Sequence, residues 1–347
     1  MRAAVFHGSE VGLKIEDIPV PQPRPGEVRV KVAGCGLCHT DLHYLDHGTP
    51  TFKKPPIVLG HEAAGWIDEI GEGVTGLEKG APVLVPAVLT CGRCEMCAAG
   101  RSNICRNMQM LGNHIDGAFA EFVCISGRDL VPVPDGLDLV EVSIVADAVT
   151  TAYHAVTVRA GVRVGDRVAV FGCGGVGLSA VQFAALAGAH VIAVDLDEGK
   201  LALAKELGAT DTINAKAEQK VYKAIKKMTG GGVDRALECI GNPATIQQAQ
   251  GSLRVGGRLC IVGFCGKRVE MEVSKIMFFE QEVVGSLGCR PVDFPRVIAL
   301  AASGRFRLAP MVTARRPLSE IQAALTDLRE GRSVRTVIIP GGNESCG

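Results

Sequence analysis

From Arg167 to Asp195 the chain reads strand, glycine-rich turn, helix, strand, an order that few folds accommodate. Arg167-Val168-Ala169-Val170-Phe171 is a short apolar run, and it leads straight into Gly172-Cys173-Gly174-Gly175-Val176-Gly177. A helix is expected near 176–187, then a second apolar run from His190 to Val194 that ends on Asp195. The spacing G-x-G-x-x-G means little by itself in a chain with 43 glycines. Its place between a strand and a helix is what gives it weight. Gly172 permits the tight turn, Gly174 lets backbone approach a pyrophosphate, and Gly177 allows close packing of helix on strand. The helix start offers free N–H groups and a positive dipole end to phosphates. Asp195 can accept hydrogen bonds from both hydroxyls of an adenosine ribose and would repel a 2′-phosphate, which predicts NAD over NADP.

The same stretch contains an uncharged run, Val168 to Val194, long enough to cross a bilayer. Gly172, Gly174, Gly175, Gly177 and Gly188 interrupt it, and the strand–loop–helix–strand reading accounts for every break. Strand and helix signals keep alternating to about 287. A second helix is expected near 198–207, with Asp197 as N-cap and Gly208 as its stop, and strands at 233–238, 258–262 and 282–287. This alternation predicts a doubly wound parallel sheet.

Residues 1 to about 150 have a different texture. Val28-Arg29-Val30-Lys31-Val32-Ala33 alternates as a half-buried strand does, prolines at 19, 21, 23 and 25 favour an extended lead-in, and glycines at 60, 65, 71, 73, 76 and 80 mark turns. No helix-length amphipathic run is expected before about residue 140. The tail from 290 ends in a strand, Arg335 to Ile339. The fold expected is therefore α/β in two domains. Residues 1–150 and 290–347 form a β-rich domain, and residues 151–289 form the dinucleotide-binding domain. Lys plus Arg and Asp plus Glu both number 37, so no global field recruits nucleic acid or acidic lipid. The N-terminus reads as a first strand with no apolar signal core, which predicts a cytoplasmic protein.

With 13 cysteines and no secretion signal, metal ligation or reduced core thiols are favoured over a disulfide framework. Cys91-x2-Cys94-x2-Cys97-x7-Cys105 is the strongest local signal. Four thiolates at this spacing suit a closed, structural tetrahedral zinc, and zinc is favoured over an iron–sulfur cluster or unligated thiols. A second group is Cys38-His39-Thr40-Asp41-Leu42-His43, in a glycine-rich loop, followed about twenty residues later by Gly60-His61-Glu62. Cys38 and His61 are acceptable zinc ligands. Local spacing does not identify a third, and each residue taken singly reads more often as structural than as a ligand.

Taken in order, Gly-Cys-Gly-Leu-Cys-His-Thr-Asp, Gly-His-Glu-Ala-Ala-Gly, the cysteine quartet and Gly-Cys-Gly-Gly-Val-Gly resemble the zinc-containing medium-chain alcohol dehydrogenases, over essentially the whole chain. The resemblance implies a GroES-like catalytic domain beside a Rossmann domain, NAD as cofactor, two zinc ions per chain, a small alcohol or carbonyl substrate, and a homo-oligomer, dimer or tetramer. It implies that Cys38 and His61 hold the catalytic zinc with Asp147, which lies 25 residues before Gly172 and four before Thr151, a residue that packs on the nicotinamide. Many relatives carry Cys at this position. Glu62 matches a carboxylate that reaches the zinc in some states, and Asp41 a partner that fixes the His61 ring. Thr40 and His43 match a proton relay. His39 and Arg335 match contacts to the pyrophosphate, Lys200 a contact near the ribose, and Val262 the segment that holds the carboxamide. One departure is Ala81-Pro82-Val83 after Gly80, where relatives commonly have Asp-Arg-Val.

The implied chemistry is hydride exchange between an alcohol and NAD in a cleft between the domains, the proton leaving through Thr40, the cofactor ribose and His43. A zinc-free quinone or enoyl reductase would not need Cys38, His61 and Asp147, and a non-catalytic NAD-binding protein would not need the relay. A dehydrogenase of cyclic hydroxyacyl-CoA compounds is a further alternative, without a CoA-specific basic cluster to support it. Pocket walls are expected from Tyr44, Phe52, Asn113, Ile115 and Leu287, and the low aromatic content, 4%, points to a roomy pocket.

Overall fold

A computed structural model describes residues 1–342. The chain divides into two compact units. The first comprises Met1–Asp147, Arg290–Gly304 and the segment from Leu308 onward, and the second Ala148–Cys289 with Arg305–Arg307. No single helix among the described residues is long and apolar enough to cross a membrane.

The first unit is β-rich. Its largest sheet runs in the order Val131–Pro132, Pro82–Val85, Glu62–Ile70, Glu27–Gly36, Arg335–Ile339, Val312–Pro317, with Phe122–Ser126 also paired to Glu27–Gly36. The alternation expected at 28–33 is real: Val28, Val30 and Val32 are buried while Lys31 is exposed. Beyond it, Ala33 to Gly36 are buried at every position, because the far end of this central strand is covered on both faces. Glu62 stands directly across from Gly36 on one side, and Val337 pairs with Gly36 on the other. A second, three-stranded sheet joins Leu13–Asp17, Arg2–Phe6 and Ile57–Val58. Trp66 pairs with Pro82, so the Gly80-Ala81-Pro82 departure still makes a turn, with Gly80 at φ +85°, and then a strand.

One expectation fails here. Residues 39–46 are not loop but a helix, His39–Asp46. Its only buried side chains are Asp41, Leu42 and Tyr44, too few to print an apolar stripe on the sequence. A polar cap starts it instead: Asp41 Oδ2 accepts the Cys38 backbone N–H at 3.0 Å.

The second unit is a six-stranded, wholly parallel sheet in the order Asp211–Asn214, His190–Asp195, Arg167–Phe171, Val233–Glu238, Leu253–Ile261, Glu282–Gly285. Helices Gly175–Leu186 and Glu198–Glu206 fall where the sequence places them, and Asp197 caps the second by accepting Lys200 N–H. The strand expected at 258–262 begins five residues earlier, at Leu253, because the chain bulges across Gly256 and Gly257, which break the apolar signal and shift the register without ending the strand. Strand order reverses beside Arg167–Phe171, so the glycine turn at its carboxyl end sits at the topological switch point, where such sheets bind ligands.

Candidate metal centres and dinucleotide loop

In the first unit, Cys91, Cys94, Cys97 and Cys105 converge. Their sulfurs lie 3.4 Å apart for Cys105–Cys91, 3.6 Å for Cys94–Cys97 and 3.7 Å for Cys94–Cys105. Disulfide sulfurs would be bonded at about 2.05 Å. A zinc tetrahedron with Zn–S near 2.3 Å has edges of about 3.8 Å, and the quartet is close to that. Backbone N–H groups turn inward as well: Cys94 donates to Cys91 Sγ, and Asn107 to Cys105 Sγ. Donors from Arg93 and Cys94 pull the Cys91 thiol down to about 6, whereas burial and the neighbouring thiols push Cys97 up to about 12; a bound dication would draw all four to thiolate.

The second convergence is deeper. Ligand atoms of Cys38, His61, Glu62 and Asp147 all lie within 4.8 Å of one another. His61 and Glu62 are buried, and Asp147 keeps a quarter of its side chain exposed. His61 Nε2 faces Asp147 Oδ2 at 3.5 Å, beyond hydrogen-bond reach, and Glu62 Oε2 has no hydrogen-bond partner among the described residues. Buried donor atoms left this way are costly unless something binds them. A sulfur, an imidazole and a carboxylate around one point fit zinc. Burial lowers the affinity of His61 for a proton, but Asp41 and Asp147 outweigh it, so its pKa is raised. Burial drives Glu62 the same way, upward, against the pull of Arg335. A dication would replace these protons.

Thr40, Asp41 and His43 all ride on the helix that Cys38 caps. Cys38 Sγ and Thr40 Oγ1 are 3.6 Å apart. Asp41 divides its carboxylate between the Cys38 N–H and the Nδ1 side of His61, 3.7 Å away. His43 Nδ1 meets His47 Nδ1 at 3.0 Å, so one proton lies between the two rings. His47 is exposed and carries the contact to the surface. It went unnoticed in the sequence, although an i, i+4 histidine pair is a visible signal once the segment is known to be helical. His39 is exposed at the helix start. Arg335, expected at a pyrophosphate, is buried in the first unit: Nη1 donates to Leu37 O at 2.6 Å and Nη2 pairs with Glu62 Oε1 at 2.8 Å. Tyr44 is buried and its hydroxyl accepts from Asn113 Nδ2 at 2.7 Å; Asn113 Oδ1 also accepts Phe52 N–H.

In the second unit, Gly172 has φ +95°, and a Cβ there would stand 2.5 Å from Ile240. A Cβ on Gly177 would collide with the Gly172 carbonyl, whereas one on Gly174 would meet nothing within 4 Å. Gly177 therefore serves packing and Gly174 leaves its surface open to a ligand. Gly175 and Val176 form the first turn of the helix. Asp195 is fixed at its strand end by Cys173 N–H at 2.6 Å on Oδ2 and by Leu196 and Asp197 N–H on Oδ1. Lys200 lies one turn into the next helix, and Thr151 is half-buried on the helix Ala148–His154. Val262 N–H donates to Glu238 O at 2.8 Å. Glu238, which the sequence reading passed over, is buried and its carboxylate accepts from Ile240 N–H, Gly241 N–H and Thr245 Oγ1. Its signal was an acid closing a strand directly after the apolar pair Ala236-Leu237.

Residues 24–135 match the alcohol dehydrogenase GroES-like domain and residues 175–303 the zinc-binding dehydrogenase domain. An alcohol dehydrogenase of Geobacillus stearothermophilus is 32% identical over 98% of this chain and 99% of its own. The crystal structure of an NAD-dependent alcohol dehydrogenase superposes with a TM-score of 0.91 at 32% identity, covering 98% of this chain and 100% of that one. A zinc-binding dehydrogenase from Sinorhizobium meliloti 1021, bound to NADP, superposes with a TM-score of 0.90 at 33% identity, covering 98% and 99%. The chain belongs to the zinc-containing medium-chain alcohol dehydrogenases and is a zinc-dependent alcohol oxidoreductase.

Proposed function

We propose that this enzyme exchanges hydride between a small alcohol and NAD, with one catalytic zinc on Cys38, His61 and Asp147 and one structural zinc on Cys91, Cys94, Cys97 and Cys105. The observation that carries the reading is the buried convergence of a thiol, an imidazole and a carboxylate beside a helix bearing Thr40 and His43. When bound, zinc supplies a Lewis acid for an alcohol or carbonyl oxygen, and the nicotinamide carries the hydride. Cys38, His61 and Asp147 hold the ion, and Asp41 keeps the His61 ring turned with Nε2 toward the other donors. Thr40 Oγ1 holds the departing proton, and His43 passes it on, with His47 completing the route to solvent.

Asp195 supports NAD over NADP, since a carboxylate at the strand end accepts ribose hydroxyls and repels a 2′-phosphate. That one relative binds NADP makes this the finer question. Thiol-rich metal sites suit a reducing, cytoplasmic compartment. Self-association fits the edge strand Glu282–Gly285, which follows exposed Val273, Met277 and Phe278 in the chain. The test is a screen of primary, secondary, cyclic and polyol alcohols, followed by NADH and NADPH absorbance. The expected result is turnover with NAD that is abolished by Cys38→Ser; no alcohol-dependent reduction of either cofactor would overturn the reading.

A further inference from the structure

Glu62 and Arg335 sit on strands that do not touch. Glu27–Gly36 lies between them, and the side chain of Glu62 must cross it to reach the guanidinium at 2.8 Å. The crossing point is Gly36, directly opposite Glu62 on one side and Val337 on the other. Arg335 is two residues from Val337 and so presents to the same face of the sheet. A Cβ on Gly36 would stand 3.1 Å from Glu62 Cβ and 3.3 Å from Cδ, and would overlap Oε2 outright. The conformation of Gly36 is one that any residue adopts, so its value here is space alone. The overlapped atom is the free end of a flexible side chain, and the carboxylate is the part that would move.

Its place to go is close by. Glu62 shares the 4.8 Å cluster with Cys38, His61 and Asp147. Three protein donors leave a zinc site open, and a fourth closes it. We infer that Gly36 is a positioning residue, the gap through which Glu62 is held on Arg335 and kept off the metal, so that a side chain at 36 turns an open catalytic site into a closed four-donor one. This rests on the reading that Cys38, His61 and Asp147 hold zinc.

The test measures release of zinc from the full-length enzyme to a chromogenic chelator, with the catalytic ion identified as the fraction lost in Cys38→Ser. Gly36→Ala should slow that release on the order of tenfold, the scale on which changes to a ligand's surroundings alter metal affinity, and should depress turnover. In the Glu62→Gln background the same substitution should leave release nearly unchanged. Arg335→Leu, which frees Glu62 from its other end, should slow release as Gly36→Ala does, and it carries the test should Gly36→Ala not fold. Release unaltered in Arg335→Leu, or slowed by Gly36→Ala equally with and without the Glu62 carboxylate, overturns the role of Gly36 and leaves the metal assignment standing. A wild-type enzyme with no zinc that depends on Cys38 removes both.

Discussion

His61 Nδ1 and Asp41 Oδ1 face each other at 3.7 Å in a fully buried pocket, while the other Asp41 oxygen caps the helix that begins at Cys38. On the proposed assignment of Cys38 and His61 to zinc, one carboxylate caps the helix at one ligand and sets its charge beside the ring of the other. Asp41→Ala should lower zinc affinity at this site by roughly 10–100-fold and cost about 1 kcal/mol as a lost cap. Zinc titration with urea unfolding checks both. Unchanged affinity with only the stability loss would reduce Asp41 to a cap.

Cys94→Ser should release about one zinc per chain and lower the melting temperature. Its Sγ contacts both Cys97 and Cys105, so its loss removes one of the four converging donors. Metal analysis beside calorimetry decides. Retention of all zinc would remove the quartet as a structural site.

Asp195→Ala should shift preference from NAD toward NADP by roughly ten- to hundredfold, the scale of one or two charged hydrogen bonds. Because Asp195 also anchors Cys173 N–H, affinity for both cofactors should fall somewhat. Kd values for both cofactors test this; a wild type that already prefers NADP contradicts it.

Asp46 joins the helix His39–Asp46 to Ile321–Arg329 through two hydrogen bonds from Arg329, at 2.7 and 2.8 Å. The Arg329 guanidinium lowers the Asp46 pKa. A lowered carboxylate stabilises the fold above its unfolded value and loses that contribution as pH falls through the folded one. Both groups are about a third exposed, so Asp46→Asn should cost only ~0.5–1 kcal/mol at neutral pH and less near pH 3, below the unfolded carboxylate value. Urea unfolding of both proteins at the two pH values measures it, and an equal cost at both would rule out the charge.

Local signals were legible in the sequence and distant ones were not. The cysteine quartet spans fifteen residues and announces its geometry by spacing, and the Gly172 turn is written into one strand–helix unit. The pairing of Glu62 with Arg335 joins positions far apart in the chain and depends on strand order, which no local pattern encodes. The helix at 39–46 escaped notice because a polar cap, not an apolar stripe, defines it. Asp147 had no local signal; only likeness to a family pointed to it. Arg305–Arg307 joins the second unit through Phe306 stacked on Phe183 and the paired Gln182–Arg307 hydrogen bonds, contacts that a coarse reading of texture passes over.

The most direct test of the account is zinc per chain together with alcohol-dependent NADH formation in wild type, Asp147→Ala, Asp147→Asn and Asp147→Cys. The account predicts about two zinc ions in wild type, close to one and no turnover in Asp147→Ala with NAD binding nearly intact, and partial retention of both metal and turnover in Asp147→Cys, since thiolate also suits tetrahedral zinc. Full zinc occupancy with near-normal turnover in both Asp147→Ala and Asp147→Asn would contradict it.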